Sequence, residues 1–225
     1  MNISIIVFPG SNCDKDVENS IINTTKVNPK LVWYQDDIPS NTELIIIPGG
    51  FSYGDYLRSG SIASKSYIMK KIISLSKKGL PIIGICNGFQ ILTEANLLPG
   101  TLVLNKNLKF VCKNIDLKIV NNSSIFSNRF DNNEVIKLPI AHKIGNFRIN
   151  QIGLKNLIDC NQIIMQYCSE DGSCIEKFNP NGSMHNIAGI MNKKGNILGM
   201  MPHPERHYGS QNIDFYMKKI INSIT

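Results

Sequence analysis

Three short stretches hold the residues that could do chemistry. The first, "PIIGICNGFQIL" (81–92), carries Cys86 with a glycine two positions to either side, Gly84 and Gly88. A residue at a strand-to-helix corner must turn sharply to keep its side chain exposed, and the turn crowds the positions two before and two after it. Glycine at both positions removes the Cβ atoms that would clash, giving Gly-X-Cys-X-Gly, the thiol form of a nucleophile elbow. Such a corner sets the sulfur at a helix N-terminus, where the dipole and free N–H groups favour thiolate over thiol. It also aims the Asn87 backbone N–H at the place where an oxyanion would form. A buried structural cysteine would not explain both glycines.

A nucleophilic thiol needs a base, and the base needs an orienting group. Four histidines compete for the first role: His142, His185, His203 and His207. His203 lies in "MMPHPER" (200–206), the second stretch, between two prolines. Each proline biases the residue before it away from helix, which holds His203 extended. Residues two apart in extended backbone point to the same side, so Glu205 can reach the ring nitrogen that faces away from the sulfur. Cys86, His203 and Glu205 are thus a candidate triad, while Arg206 and His207 read as solvent-facing. The third stretch, "IIIPGG" (45–50), ends in Pro48-Gly49-Gly50, where backbone N–H groups can approach a ligand closely. Gly50 is the candidate second oxyanion donor beside Asn87.

The elements that must position these residues show in the hydrophobic pattern. Strands are predicted over 3–8, 31–34, 44–47 and 81–85, with helices over 14–24 and 87–98. Ile62, Ala63, Ile68, Ile72 and Ile73 mark the apolar face of one more helix, ending near Gly79. Strands alternating with helices imply crossover connections and a mainly parallel sheet. In the second half, 115–119 alternates apolar and polar residues, as a strand with one wet face does. Further strands are expected over 135–140, 162–167, 187–191 and 197–201, and a last helix over 212–224. No linker or internal repeat interrupts the chain, so one α/β domain over 1–225 is expected.

Bulk composition excludes several classes. The chain has 225 residues, 42% of them hydrophobic, and no run approaches the roughly 20 apolar residues of a membrane-spanning helix. The start, "MNISIIVFPG", has no basic segment before its apolar run and no small-residue cleavage site, so a cytosolic protein is expected. The six cysteines (13, 86, 112, 160, 168, 174) follow no metal-ribbon or redox spacing, and those other than Cys86 read as small buried hydrophobes. The net charge is +7, but lysines outnumber arginines 20 to 4 and are scattered. With so much Asn and Ile, that points to compositional drift rather than to nucleic acid.

Together, Gly-Ile-Cys-Asn-Gly-Phe-Gln (84–90), Pro-Gly-Gly (48–50) and His-Pro-Glu (203–205) resemble the class I (triad) glutamine amidotransferases. "FPGSNCDKD" (8–16), "PGGFSYGDYLRSGSIA" (48–63), "LPIAHKIGNF" (138–147), "NPNGSMHNIAGI" (179–190) and "GNILGMMPHPER" (195–206) narrow the likeness. They are similar to the glutaminase subunits of phosphoribosylformylglycinamidine synthase, over residues 3 to about 206. The resemblance implies a flavodoxin-like three-layer sandwich: a mainly parallel central sheet with helices on both faces, and a smaller antiparallel β portion in the second half. It implies Cys86 as nucleophile, His203 as base and then acid, Glu205 as orienter, and Gly50 and Asn87 N–H as oxyanion hole. Gln90, one turn past the cysteine, would help hold glutamine, and Gly145, Asn146 and Phe147 would line its site. Where the family usually shows Gly-Glu before Gly145, this chain has Lys143-Ile144. The implied partners are a large synthetase subunit, which uses ATP and Mg, and a small accessory subunit. No metal or cofactor is implied on this chain. Two other classes fit the same residues: a γ-glutamyl-peptidase-like hydrolase working without a partner, and a non-enzymatic binding module in which the elbow is a relic.

Overall fold

The computed structural model describes residues 1–206 and 215–224. The first part of the chain alternates strand and helix: β1 (Ile3–Val7), α1 (Asp14–Thr25), β2 (Lys30–Trp33), β3 (Leu44–Ile47), α2 (Ser61–Ser64), α3 (Tyr67–Lys77), β4 (Ile82–Ile85) and α4 (Asn87–Glu94). Then follow β5 (Thr101–Leu104), β6 (Val111–Ile119), β7 (Val135–His142), β8 (Ile144–Arg148), α5 (Gln151–Asp159), β9 (Ile163–Cys168), β10 (Ile187–Met191), β11 (Ile197–Met200) and α6 (Phe215–Ile224).

Nine strands form one sheet in the order β2-β1-β3-β4-β11-β10-β9-β6-β7. The first five are mutually parallel, and the remainder pair antiparallel. β3 (Leu-Ile-Ile-Ile) and β4 (Ile-Ile-Gly-Ile) are apolar at nearly every position because both faces of the parallel half are covered, and all eight residues are buried. The chain steps one way from β1 to β2 and the other way from β3 to β4, so right-handed crossovers send α1 and the α2–α3 pair to opposite faces. Accordingly α1 packs with α6, and α2 with α4. The parallel strands all end at one edge, and β1, β3, β4 and β11 deliver there the segments that carry Cys13, Gly49–Gly50, Cys86 and His203. Open α/β sheets bind ligands at this carboxyl edge. Among the described residues no helix is long and apolar enough to cross a membrane.

Several elements differ from the sequence expectation. The single helix expected after residue 61 is two, because Lys65 and Ser66 N–H donate three residues back, to Ile62 and Ala63, tightening the end of α2 before Ser66 turns extended. α4 stops at Glu94 rather than Leu98, where Asn96 takes φ 57°. β6 begins at Val111, four residues early. β5 and β8, which form a separate antiparallel ribbon, and α5, capped by the Asn150 side chain on Gly153 N–H (2.7 Å), were not anticipated. β8 reads Ile-Gly-Asn-Phe-Arg, and Gly and Asn are depleted in strands. The last helix is described from Phe215; residues 212–214 of the expected span lie outside the described residues.

Candidate active site

Cys86 sits at the corner between β4 and α4 with φ 50° and ψ −102°, a conformation costly for any residue with a Cβ. Its flanking glycines have separate reasons to be there. A Cβ on Gly84 would come within 2.7 Å of the Gly88 backbone, which is the crowding the sharp turn creates. A Cβ on Gly88 would lie 2.0 Å from the Ile47 carbonyl oxygen, so this glycine lets α4 press against β3. The Cys86 N–H donates to Met200 O on β11 (2.7 Å), and the sulfur lies 3.9 Å from Ala141 O at the end of β7.

His203 and Glu205 are both buried, and His203 Nδ1 and Glu205 Oε1 are 2.7 Å apart. The carboxylate can only accept there, so Nδ1 carries the proton and Nε2 is the nitrogen left for chemistry. Among the described residues, neither Nε2 nor Glu205 Oε2 has a hydrogen-bond partner of ordinary geometry. Burial works against a charged ring, yet the Glu205 carboxylate and then the Cys86 and Cys13 sulfurs outweigh it, holding His203 well above the usual histidine range. The His203 N–H donates to Pro139 O (2.9 Å), anchoring this loop to β7.

Gly49 marks the point where these groups meet. A Cβ there would lie 2.8 Å from His203 Cε1, 2.9 Å from Cys13 Sγ and 3.4 Å from Cys86 Cβ. At Gly50 (φ 147°) a Cβ would lie 2.8 Å from each of three backbone atoms in 10–12, so only glycine fits. The next donor, Phe51 N–H, is taken by Gly10 O (2.9 Å), whereas among the described residues no acceptor holds the Gly50 N–H. The Asn87 side chain couples this turn to the elbow: Oδ1 accepts from Ser52 N–H (3.1 Å) and Nδ2 donates to Gln90 Oε1 (2.8 Å).

The expected glutamine-binding residues divide. Gln90 is buried and spends both ends of its amide inside the protein, accepting from Asn87 and donating to Ile144 O (2.6 Å). Phe147 is a core side chain stacked on Phe89, 6.0 Å between centroids, with its N–H on Ser183 Oγ (3.0 Å). Gly145 lies against the His142 ring, where a Cβ would sit 2.3 Å away, and Asn146 is buried beside it with Oδ1 unpartnered among the described residues. Lys143 and Ile144 contribute backbone carbonyls, which accept from Asn105 N–H (2.9 Å) and from Gln90.

Sequence reasoning missed several residues here. Asn105 is fully buried, and its Nδ2 donates to Lys109 O and His142 O, both at 2.9 Å. Its Oδ1 must therefore accept, from Gly145 N–H (3.1 Å) and His142 Nδ1–H (3.2 Å), which fixes the His142 tautomer. Burial first, and the charge of His203 second, pushes His142 down to about 4. Asn181 and Ser183 both donate to Gly145 O. Arg206 is not solvent-facing: it is half-buried, donating from Nε to Asp16 Oδ2 and from Nη2 to Cys13 Sγ, each at 2.9 Å. His207 lies outside the described residues. Cys13 is no inert hydrophobe, for its sulfur abuts the His203 ring, while Cys112 and Cys160 are exposed. The stretches holding Cys13 and Asn181–Ser183 were the available signal, since both lay in the segments that carried the resemblance.

An elbow cysteine, a buried histidine charged by a carboxylate, and the Gly50 N–H, which has no acceptor among the described residues, can perform acyl transfer through a thioester. A CobB/CobQ-like glutamine amidotransferase domain matches residues 1–222. The phosphoribosylformylglycinamidine synthase subunit PurQ of Moorella thermoacetica is 49% identical over 92% of this chain and 87% of its own length. That of Sulfurimonas denitrificans is 47% identical over 92% and 91%. Among solved structures, PurLQS from Thermotoga maritima matches with TM-score 0.85 and 38% identity, covering 99% of this chain and 96% of that one. The chain belongs to the CobB/CobQ-like glutamine amidotransferase family.

Proposed function

We propose that this chain, acting as one domain, is the glutaminase subunit of a phosphoribosylformylglycinamidine synthase, with Cys86, His203 and Glu205 as its catalytic triad. The observation that carries the reading is the placement of His203, paired with a buried carboxylate on one nitrogen and adjoining the elbow sulfur with the rest of the ring. Cys86 thiolate attacks the side-chain amide carbon of glutamine, and the N–H groups of Asn87 and Gly50 take the oxyanion. Protonated His203 gives its proton to the departing ammonia, leaving a γ-glutamyl thioester. It then takes a proton from water, which hydrolyses the thioester to glutamate. Glu205 holds the ring in one tautomer and favours its charged form throughout. Gly145 and Asn146 line the glutamine site beside His142, and Gln90 positions the elbow helix against β8.

These steps use side chains and backbone of this chain alone. The ammonia passes along a shielded path to a large ATP- and Mg-using synthetase subunit, with a small accessory subunit completing the complex. There it displaces the activated formyl oxygen of formylglycinamide ribonucleotide. A cytosolic setting keeps the Cys86 thiol reduced. The test is glutamate release from glutamine with and without the synthetase partner and ATP. The rate should rise with the partner and fall at least about 10⁴-fold in Cys86→Ala. Undiminished turnover in that variant contradicts the triad. High turnover that ignores the partner points instead to a free-standing γ-glutamyl hydrolase.

A further inference from the structure

Behind the His203–Glu205 pair lies a second layer that fastens its loop to α1. Arg206, the next residue after Glu205, reaches Asp16 in the first turn of α1 through Nε and Cys13, the N-cap of the same helix, through Nη2. The Cys13 sulfur is buried and lies within 4.8 Å of a ring nitrogen of His203 and a carboxylate oxygen of Glu205. The Cys13 N–H donates in turn to Gly49 O (3.3 Å), the residue on which the site converges. Among the described residues the Glu205 carboxylate has one hydrogen bond, to His203, and the guanidinium acts on it through charge.

We infer that Arg206, gripped by Asp16 and Cys13, is the positioning residue of the His203–Glu205 pair, and that its charge sets the pH range in which His203 and Cys86 share a proton. The inference rests on the reading of Cys86 and His203 as the reacting pair. Among the described residues, the charged and titratable groups facing His203 and Cys86 are Glu205, Cys13, His142, Tyr167 and, one layer out, Arg206 with its counter-ion Asp16. A guanidinium there disfavours imidazolium and favours thiolate. Removing it moves the proton-sharing range to higher pH. Removing the Asp16 charge leaves Arg206 less neutralised and moves the range to lower pH. A clip with no electrostatic part would loosen the loop in both variants without opposite shifts.

The test is the rate of Cys86 alkylation by iodoacetamide against pH at low ionic strength, read by peptide mass spectrometry on the full chain, for the parent, R206Q, R206K and D16N. The midpoint should rise by about half to one pH unit in R206Q, fall by less in D16N, and stay in place in R206K, which keeps the charge. Unmoved midpoints in R206Q, or shifts of one sign in both R206Q and D16N, overturn the inference. If R206Q does not fold, D16N and R206K decide: a D16N midpoint that stays or rises overturns it. Labelling needs no glutamine, so this result stands apart from the turnover of Cys86→Ala that tests the glutaminase reading.

Discussion

His142 carries the clearest energetic signature of any single residue in the site. Asn105 holds its Nδ1–H, the ring is 3% exposed, and burial together with His203 brings it down to about 4. An unfolded chain has this histidine near its ordinary value, about 6.5. Between those two pH values the unfolded state binds a proton that the folded state does not. Stability from this group is therefore intact above about 6.5 and is lost as pH falls toward 4, by roughly 3 kcal/mol over the window. His142→Gln keeps a donor for Asn105 and removes the titration. Urea unfolding at about pH 7 and about pH 4.5 should show the parent losing more stability than this variant across the interval. Parallel losses would show that His142 is not the cause.

At the scale of elements, the site depends on how closely α4 approaches β3. Gly88 makes that approach possible, and its missing Cβ would stand 2.0 Å from a strand carbonyl. Gly88→Ala must push the helix off the strand, moving Cys86 from its place at the edge of the sheet. The expected cost is about 1–3 kcal/mol or more, seen as a lowered melting temperature, with glutaminase activity falling further than the stability loss explains. An unchanged melting temperature would show that α4 is not packed so tightly. The elbow was legible in sequence because its pattern, Gly84 to Gly88, is written within five residues, although what Gly88 makes room for, the Ile47 carbonyl on β3, lies outside them. The His203–Glu205 pair was legible from its spacing, but the extended backbone expected there is not what joins the two: Pro204 and Glu205 sit in a turn closed by the Arg206 N–H on His203 O (3.2 Å). Arg206 was not legible, because its partners Asp16 and Cys13 are 190 and 193 positions away. The β5–β8 ribbon was hidden likewise, pairing residues forty or more apart through a strand that contains Gly and Asn.

Across the whole molecule, the sheet brings distant segments to one edge. The ends of β1, β3, β4 and β11 supply Cys13, Gly49–Gly50, Cys86 and His203, while β7 and β8 close the site from the antiparallel side with Ala141, His142 and Gly145. The order β1-β3-β4-β11 places the ends of β3 and β11 on either side of the elbow, so donor, nucleophile and base converge there. The parallel half was legible from its continuous apolar runs. The extension of the same sheet by four antiparallel strands was not, since register between strands far apart in sequence leaves no local mark. The central claim is that, of the two thiols near His203, only Cys86 is the nucleophile. Its most direct measurement is to treat the chain with a glutamine-analogue chloroketone and map the adduct by peptide mass spectrometry. A single adduct on Cys86, absent from His203→Ala at the same exposure, is the predicted result. An adduct on Cys13 with Cys86 left free would contradict the account.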